Sequence, residues 1–159
     1  MTGLTMSDTT PRKSNQQFRI RTGLVIMFLG FLIFVLGIAP EVIGLNRSSV
    51  TGFVQLGVSL IGLGIICIGG YVALNALWNG RQKSILADIG IRLVATGYVI
   101  AFASGLADIF GIGSHPFPNI PSFGPVQVLG MLVGEATIVI GFIMFIPNPR
   151  REKEEVEAR

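Results

Sequence analysis

The longest uncharged stretch of the chain runs from Ser48 to Gly80, between Arg47 and Arg81. A helix rises about 1.5 Å per residue, so about 20 apolar residues cross the ~30 Å core of a membrane. The stretch therefore predicts a membrane-spanning helix over about residues 53–78. Tyr71 and Trp78 stand toward the end of this helix, where an interfacial aromatic belt would place them.

Three further apolar stretches predict membrane-spanning helices over about residues 22–39, 89–110 and 126–146. The first could instead be a secretory signal peptide, since small residues end it. We favour an uncleaved helix, because Pro40 would occupy the first mature position and the run exceeds the ~7–15 residues of a signal-peptide core. The 111–125 segment contains four prolines and is predicted to be a loop.

The composition agrees with an integral membrane protein. Half of the residues are hydrophobic, 13% are charged, and the mean hydropathy is +0.68. A soluble domain carries about 25% charged residues. The predicted fold is an all-α bundle of four transmembrane helices in the lipid bilayer.

The basic residues predict the orientation of the chain. Cytoplasmic segments of membrane proteins are enriched in Lys and Arg. With both termini in the cytoplasm, 11 of the 12 basic residues are cytoplasmic and only Arg47 is outside. This bias accounts for the net charge of +3 without a nucleic-acid surface. A plasma or inner membrane is the expected location.

The two halves of the chain resemble each other. Gly52-Phe53-Val54-Gln55 matches Gly124-Pro125-Val126-Gln127, and the odd-numbered helices match more weakly with gaps. The pattern predicts two parallel helical-hairpin repeats related by a pseudo-two-fold axis along the membrane normal. The predicted segments are a disordered cytoplasmic tail (1–18), hairpin repeat 1 (19–78), a cytoplasmic turn (79–88), hairpin repeat 2 (89–147) and a charged cytoplasmic tail (148–159).

Glu135 is the sharpest candidate for a functional residue. It lies near the middle of the fourth helix, and the alignment of the two halves pairs it with Leu63. An ionised carboxylate at this depth costs at least ~2.5 kcal/mol. Three roles stay open: a neutral, hydrogen-bonded packing residue, a contact with another subunit, and a carrier of protons or ions. Tyr98, Ser104 and Cys67 are its possible partners within the chain.

Small residues recur at helical spacing and predict close helix packing. They serve packing within the chain or, alternatively, a homodimer face. The candidates are Gly23, Gly30 and Gly37 in the first helix, Gly97, Ala101 and Gly105 in the third, and Gly130 and Gly134 in the fourth.

Other polar residues give weaker indications. Glu41 and Asp108 are predicted at the outer surface as solvated helix-end carboxylates. His115, on the outer loop, is predicted to be a free surface residue or, alternatively, to join Asp108 in a metal or proton site. Two ligands are too few to predict a metal. Cys67 is predicted to be a small packing residue. No nucleophile–base pair, catalytic carboxylate pair or cofactor motif is recognisable, so we expect no enzyme activity, metal or cofactor.

These observations predict a small non-catalytic membrane protein, an accessory or scaffolding subunit of a larger membrane assembly. Its expected partners are other membrane protein subunits or further copies of itself. The alternative is a small proton- or ion-coupled transporter or channel that uses Glu135.

Overall fold

The computed structural model of the chain describes residues 10–39, 53–107, 109–111 and 124–147. All regular secondary structure in these residues is helical, in four α-helices: α1 (Thr10–Ile38), α2 (Phe53–Trp78), α3 (Ile85–Gly105) and α4 (Pro125–Phe145). Each contains a stretch that is long and apolar enough to cross a membrane. The all-helical class and four apolar helices of membrane-spanning length are thus confirmed for the described residues.

Helix ends differ from the predicted spans where local capping decides them. α3 begins at Ile85 because the Ser84 hydroxyl accepts a hydrogen bond from the Ala87 amide at 3.2 Å, as an N-cap side chain does. α4 begins with Pro125, whose missing amide hydrogen costs nothing in the first turn. The Gly124 amide donates to Gln127 Oε1 at 2.9 Å. α1 begins at Thr10, so residues 10–18, for which the polar composition predicts a disordered tail, are helical.

Two helix pairs form the most extensive packing: α1 with α2, and α3 with α4. Glycine lets each pair approach backbone to backbone. A Cβ on Gly30 of α1 would lie 2.7 Å from the Ile66 amide nitrogen of α2, and a Cβ on Gly97 of α3 would lie 2.6 Å from the Gly134 carbonyl oxygen of α4. Lipid provides no hydrophobic driving force between helices, so their association depends on the van der Waals contacts that this close approach permits.

α2 joins the two pairs. It packs along α3 and more sparsely on α4, whereas α1 makes no comparably extensive contact with either α3 or α4. Three apolar clusters fill the space where α2 meets α3 and α4. They consist of Leu63, Val94, Ala101 and Ile138 in the middle, Leu56, Leu60 and Met131 toward one end, and Trp78, Ala87 and Phe145 at the other.

The outer faces of the helices carry large apolar side chains. Phe28, Ile61, Val99 and Ile143, one from each helix, expose 61%, 60%, 63% and 64% of their surface. A soluble protein seldom exposes so continuous an apolar surface, whereas a lipid-facing surface requires one. The structure thus indicates a membrane location.

Candidate functional site

Glu135 is the central residue of α4, which spans 21 residues from Pro125 to Phe145. Its half-buried side chain lines a groove of about 290 Å³ between α4 and the adjoining ends of α1 and α2. The groove is lined by Gly37 and Ile38 of α1, Leu56 and Ser59 of α2, and Val128, Met131, Leu132 and Glu135 of α4. We call it the Glu135 groove.

Within the described residues, the half-buried Glu135 makes no hydrogen bond or ion pair, and the lining of the groove offers little to bind it. Ser59 is the other polar side chain of the lining, but its hydroxyl donates to the Leu56 carbonyl oxygen at 2.8 Å. A carboxyl group in an apolar groove at mid-helix is costly without a partner. The groove therefore has unsatisfied hydrogen-bonding capacity at one defined depth.

The structure places the three expected partners of Glu135 in other contacts. The Tyr98 hydroxyl donates to the Leu60 carbonyl oxygen at 3.4 Å. Ser104 lies against Gly130, so close that a Cβ at residue 130 would overlap its hydroxyl oxygen. Cys67 is a free thiol that packs beside the Leu63 cluster. None of these residues lines the Glu135 groove.

Leu63, which the alignment of the two halves pairs with Glu135, has a contrasting environment. Leu63 is only 5% exposed and packs on Val94 and Ala101 of α3, in the closed seam between α2 and α3. Glu135 instead lines the seam between α4 and the α1–α2 pair, where helix contacts are sparse. Glu135 thus lies where the bundle is open, whereas Leu63 lies where it is closed.

The predicted packing residues lie in contacts within the chain. On α1, Gly23 faces Ala73, Gly30 faces Ile66, and Gly37 faces Ser59. On the second pair, Gly97 and Ala101 of α3 flank Gly134, and Gly130 faces Ser104. Gly105 instead faces α2, where a Cβ would lie 3.1 Å from a Leu56 methyl carbon.

Four further glycines, which the predicted packing residues do not include, make equally close contacts with the backbone of a neighbouring helix. They are Gly62 and Gly69 of α2, Gly90 of α3 and Gly141 of α4. The signal that identifies them is a spacing of seven residues, which joins Gly62 to Gly69, Gly90 to Gly97, and Gly134 to Gly141. Seven residues are close to two helical turns, so each glycine pair lies on one helix face.

The predicted outer-surface residues Glu41, Asp108 and His115 lie outside the described residues. In the part of the chain that the structure describes, no group of three or more His, Cys, Asp or Glu side chains is placed to hold a metal ion. The ion pair between Asp88 and Arg92, 3.0 Å long, is exposed and joins successive turns of α3. It is a surface pair of small energetic weight.

Comparison with known proteins adds no relative: no family model matches the chain, and neither a curated protein nor a solved structure matches it.

Proposed function

We propose that the chain is a non-catalytic, four-span membrane protein that acts as an accessory or scaffolding subunit of a larger assembly. The observation that carries the proposal is the Glu135 groove. It is an apolar cleft between α1, α2 and α4 on the side of the bundle, with one carboxyl group, at the middle of α4, that has no partner among the described residues. A transmembrane helix with a hydrogen-bond donor or a cation at the same depth would satisfy both the apolar surface and the carboxyl group.

The lining of the groove favours a partner helix over a proton path. Proton relays through membranes use chains of ionisable or hydroxyl groups. Among the described residues of the lining, only Ser59 has a polar side chain besides Glu135, and the Ser59 hydroxyl donates its hydrogen bond within its own helix. A transporter that uses Glu135 is the rival function, and the experiments below separate the two.

We further propose that the two helix pairs are tandem hairpin repeats. Support comes from matching glycine contacts. Gly30 meets Gly62 and Ile66, while Gly97 meets Gly134 and Ile138. Gly30 of α1 thus corresponds to Gly97 of α3. Gly62 and Ile66 of α2 correspond to Gly134 and Ile138 of α4, and the sequence alignment of the two halves makes the same pairs.

A second set of contacts follows the same correspondence. Gly69 lies against Met27, and its counterpart Gly141 lies against Val94, the counterpart of Met27. In this proposal the symmetry is imperfect, because the α2–α3 seam is closed while its counterpart between α4 and α1 is sparsely packed. A partner helix in the Glu135 groove would complete the open seam, which links the repeat to the proposed function.

The proposed orientation has both termini and the 79–88 turn in the cytoplasm, in a plasma or inner membrane. The support is the distribution of basic residues along the sequence, of which 11 of 12 fall on one side.

Site-specific photocrosslinking in native membranes tests the subunit proposal. A crosslinking amino acid at Leu132, which is 55% exposed and lines the groove, should give an adduct of one defined mass. The matched control is Ile140, which is 53% exposed on the same helix but outside the groove. Equal or diffuse adducts from both positions would argue against a partner in the groove.

Substitution of Glu135 separates the possible roles of its carboxyl group. With Glu135→Leu, the Leu132 adduct should fall at least fivefold while the isolated bundle keeps its stability. Glu135→Gln retains an acceptor and adds donors, so it should preserve the adduct if the partner donates a neutral hydrogen bond and weaken it if the partner is a cation. Proton flux into liposomes that is present in the wild type and lost in Glu135→Gln would overturn the proposal in favour of the transporter.

A further inference from the structure

A polar pocket lies at the end of the bundle opposite the Glu135 groove, where α1 begins and α2 ends. Its volume is about 380 Å³. Three basic side chains line it: Arg19 of α1, and Arg81 and Lys83 of the turn after α2. Asn15, Asn75 and Asn79 add side-chain amides, and no carboxylate belongs to the described lining. The positive charges of Arg19 and Lys83 in this lining favour the binding of an anionic group.

An apolar groove of about 360 Å³ lies on the face formed by α2, α3 and α4. Its lining includes Ile68, Tyr71, Ala95, Tyr98 and Phe142. The lining is almost entirely hydrocarbon and aromatic surface, on a helix face that a bilayer would cover. A groove of this kind accommodates an alkyl chain and offers little to a polar solute.

Lys83 connects the polar pocket to the apolar groove. It lines the pocket, and its ammonium nitrogen lies 5.5 Å from the ring centroid of Tyr71 and 5.4 Å from that of Phe145. Both rings line the apolar groove. The cation–π contacts hold the ammonium group at the mouth of the groove, while its N–H groups remain able to donate to an anion.

We propose that the pocket and the groove together bind one anionic phospholipid, with the phosphate headgroup at Arg19 and Lys83 and an acyl chain along Tyr71 and Tyr98. The site lies where the apolar helices give way to the polar turn, which is the depth of a phospholipid headgroup. Basic pockets between membrane helices bind anionic headgroups by the same charge complementarity.

Charge and shape distinguish this ligand from other anions. Free phosphate would use the basic pocket but leave the apolar groove unused. The segment 150–159 of the chain itself contains four basic and four acidic residues, so its net charge does not favour a cationic pocket. A zwitterionic lipid would fill the groove but gain less at the basic side chains.

Binding of two lipids to the purified full-length chain, measured by native mass spectrometry, tests the proposal. The probes are phosphatidylglycerol and phosphatidylcholine with identical acyl chains. We expect phosphatidylglycerol to bind at least tenfold more tightly, and the preference to fall at least fivefold at about 0.5 M salt, because salt screens exposed charges. Equal binding of the two lipids by the wild-type chain would overturn the proposal.

Charge variants locate the headgroup. Lys83→Gln and Arg19→Gln should each weaken phosphatidylglycerol binding about fivefold, the factor that one juxtamembrane basic residue contributes. The matched control is Arg21→Gln, on the same helix, exposed and not part of the pocket lining. Arg21→Gln should change binding less than twofold, and a loss equal to that of Arg19→Gln would refute the assigned site.

A groove variant and two competitors identify the ligand. Ala95→Trp should fill the groove and weaken binding of both lipids at least threefold, whereas Ala103→Trp, on the same helix outside the groove, should not. Displacement of the lipid by millimolar inorganic phosphate would identify a free-phosphate site instead. A chain truncated after Pro149 should bind phosphatidylglycerol unchanged, and a gain of more than threefold would identify the chain's own tail as the occupant.

Discussion

The indole Nε1 of Trp78 donates a hydrogen bond to the carbonyl oxygen of Phe145 at 3.0 Å. Trp78 ends α2 and Phe145 ends α4, so the bond ties together the ends of two helices from different pairs. The last carbonyl groups of a helix have no partner within it, and this one is buried where water cannot replace the bond. Both side chains are among the least exposed of the described residues, at 2% and 1%.

The burial of Trp78 predicts that quenchers in the lipid reduce its fluorescence only weakly. Trp78 is the one tryptophan of the chain, so emission reports this residue alone. In bilayers of brominated phosphatidylcholine, we expect weak quenching, because neighbouring helices separate the ring from lipid. The control is Trp78→Phe combined with Ile68→Trp, which places an indole at a position 61% exposed and should be quenched at least threefold more. Strong quenching of the native Trp78 would mean that its ring faces lipid, as in an aromatic belt.

Close glycine packing predicts opposite effects for two alanine substitutions in α2. A Cβ at Gly62 would overlap the Phe34 amide nitrogen and lie 2.7 Å from its Cα, whereas a Cβ at Gly57 would have no atom of the described residues within 4 Å. Gly62→Ala must push α1 away from α2 and should lower the free energy of unfolding by about 1–3 kcal/mol. Gly57→Ala should be neutral or stabilising by up to ~1 kcal/mol, since alanine favours helix.

Unfolding titrations in mixed detergent micelles measure both variants against the wild type. Gly62→Ala and Gly57→Ala make the same chemical change in the same helix, so the two variants differ only in the space beside the Cα atom. Equal losses of stability in both variants would show that the backbones of α1 and α2 are farther apart at Gly62 than its contact with Phe34 requires.

The order and number of the helices follow from the sequence because lipid imposes a length and an apolar composition on each. α2 occupies the same residues as the predicted span, 53–78. The inward face of each helix is harder to predict, because both faces are apolar and periodicity carries little information. Trp78 illustrates the difficulty. Its position in the sequence predicts a ring at the membrane interface, but the ring is buried, donates a hydrogen bond to Phe145 and packs in one cluster with Ala87.

Glycine spacing carries some of the missing information. Gly62 and Gly69 identify the face of α2 that meets α1, since only glycine permits that approach. The seam that holds Glu135 has no such signal. Its neighbours Ser59 and Ile38 belong to α2 and α1. The position of these helices relative to α4 depends on how α2 packs against α3, and that packing is a long-range contact. Tyr98, Ser104 and Cys67 are predicted as partners of Glu135 because the sequence places them at similar depth, but depth does not determine which way a helix faces.

The cap of α3 predicts the effect of substitutions at Ser84. Ser84→Ala removes the acceptor of the Ala87 amide and should destabilise the chain by about 1 kcal/mol. Ser84→Asp keeps an acceptor and places a negative charge at the positive end of the helix, so its stability should stay within about 0.5 kcal/mol of the wild type. If Ser84→Asp loses as much as Ser84→Ala in the same detergent titration, the hydroxyl is not acting as the cap.

The proposed orientation predicts which loops an impermeant thiol reagent reaches on intact cells. In a Cys67→Ala background, which removes the single native thiol, Gln82→Cys tests the turn after α2 and Ser114→Cys tests the proline-rich 111–125 segment. Gln82 is exposed and lies outside α3, so its replacement disturbs neither helix nor cap. With the basic residues in the cytoplasm, we expect labelling at residue 114 alone. Permeabilised cells should label at both positions, which shows that each thiol is reactive. Labelling of residue 82 but not 114 on intact cells would reverse the orientation, and the lipid site at Lys83 would then face the outer leaflet.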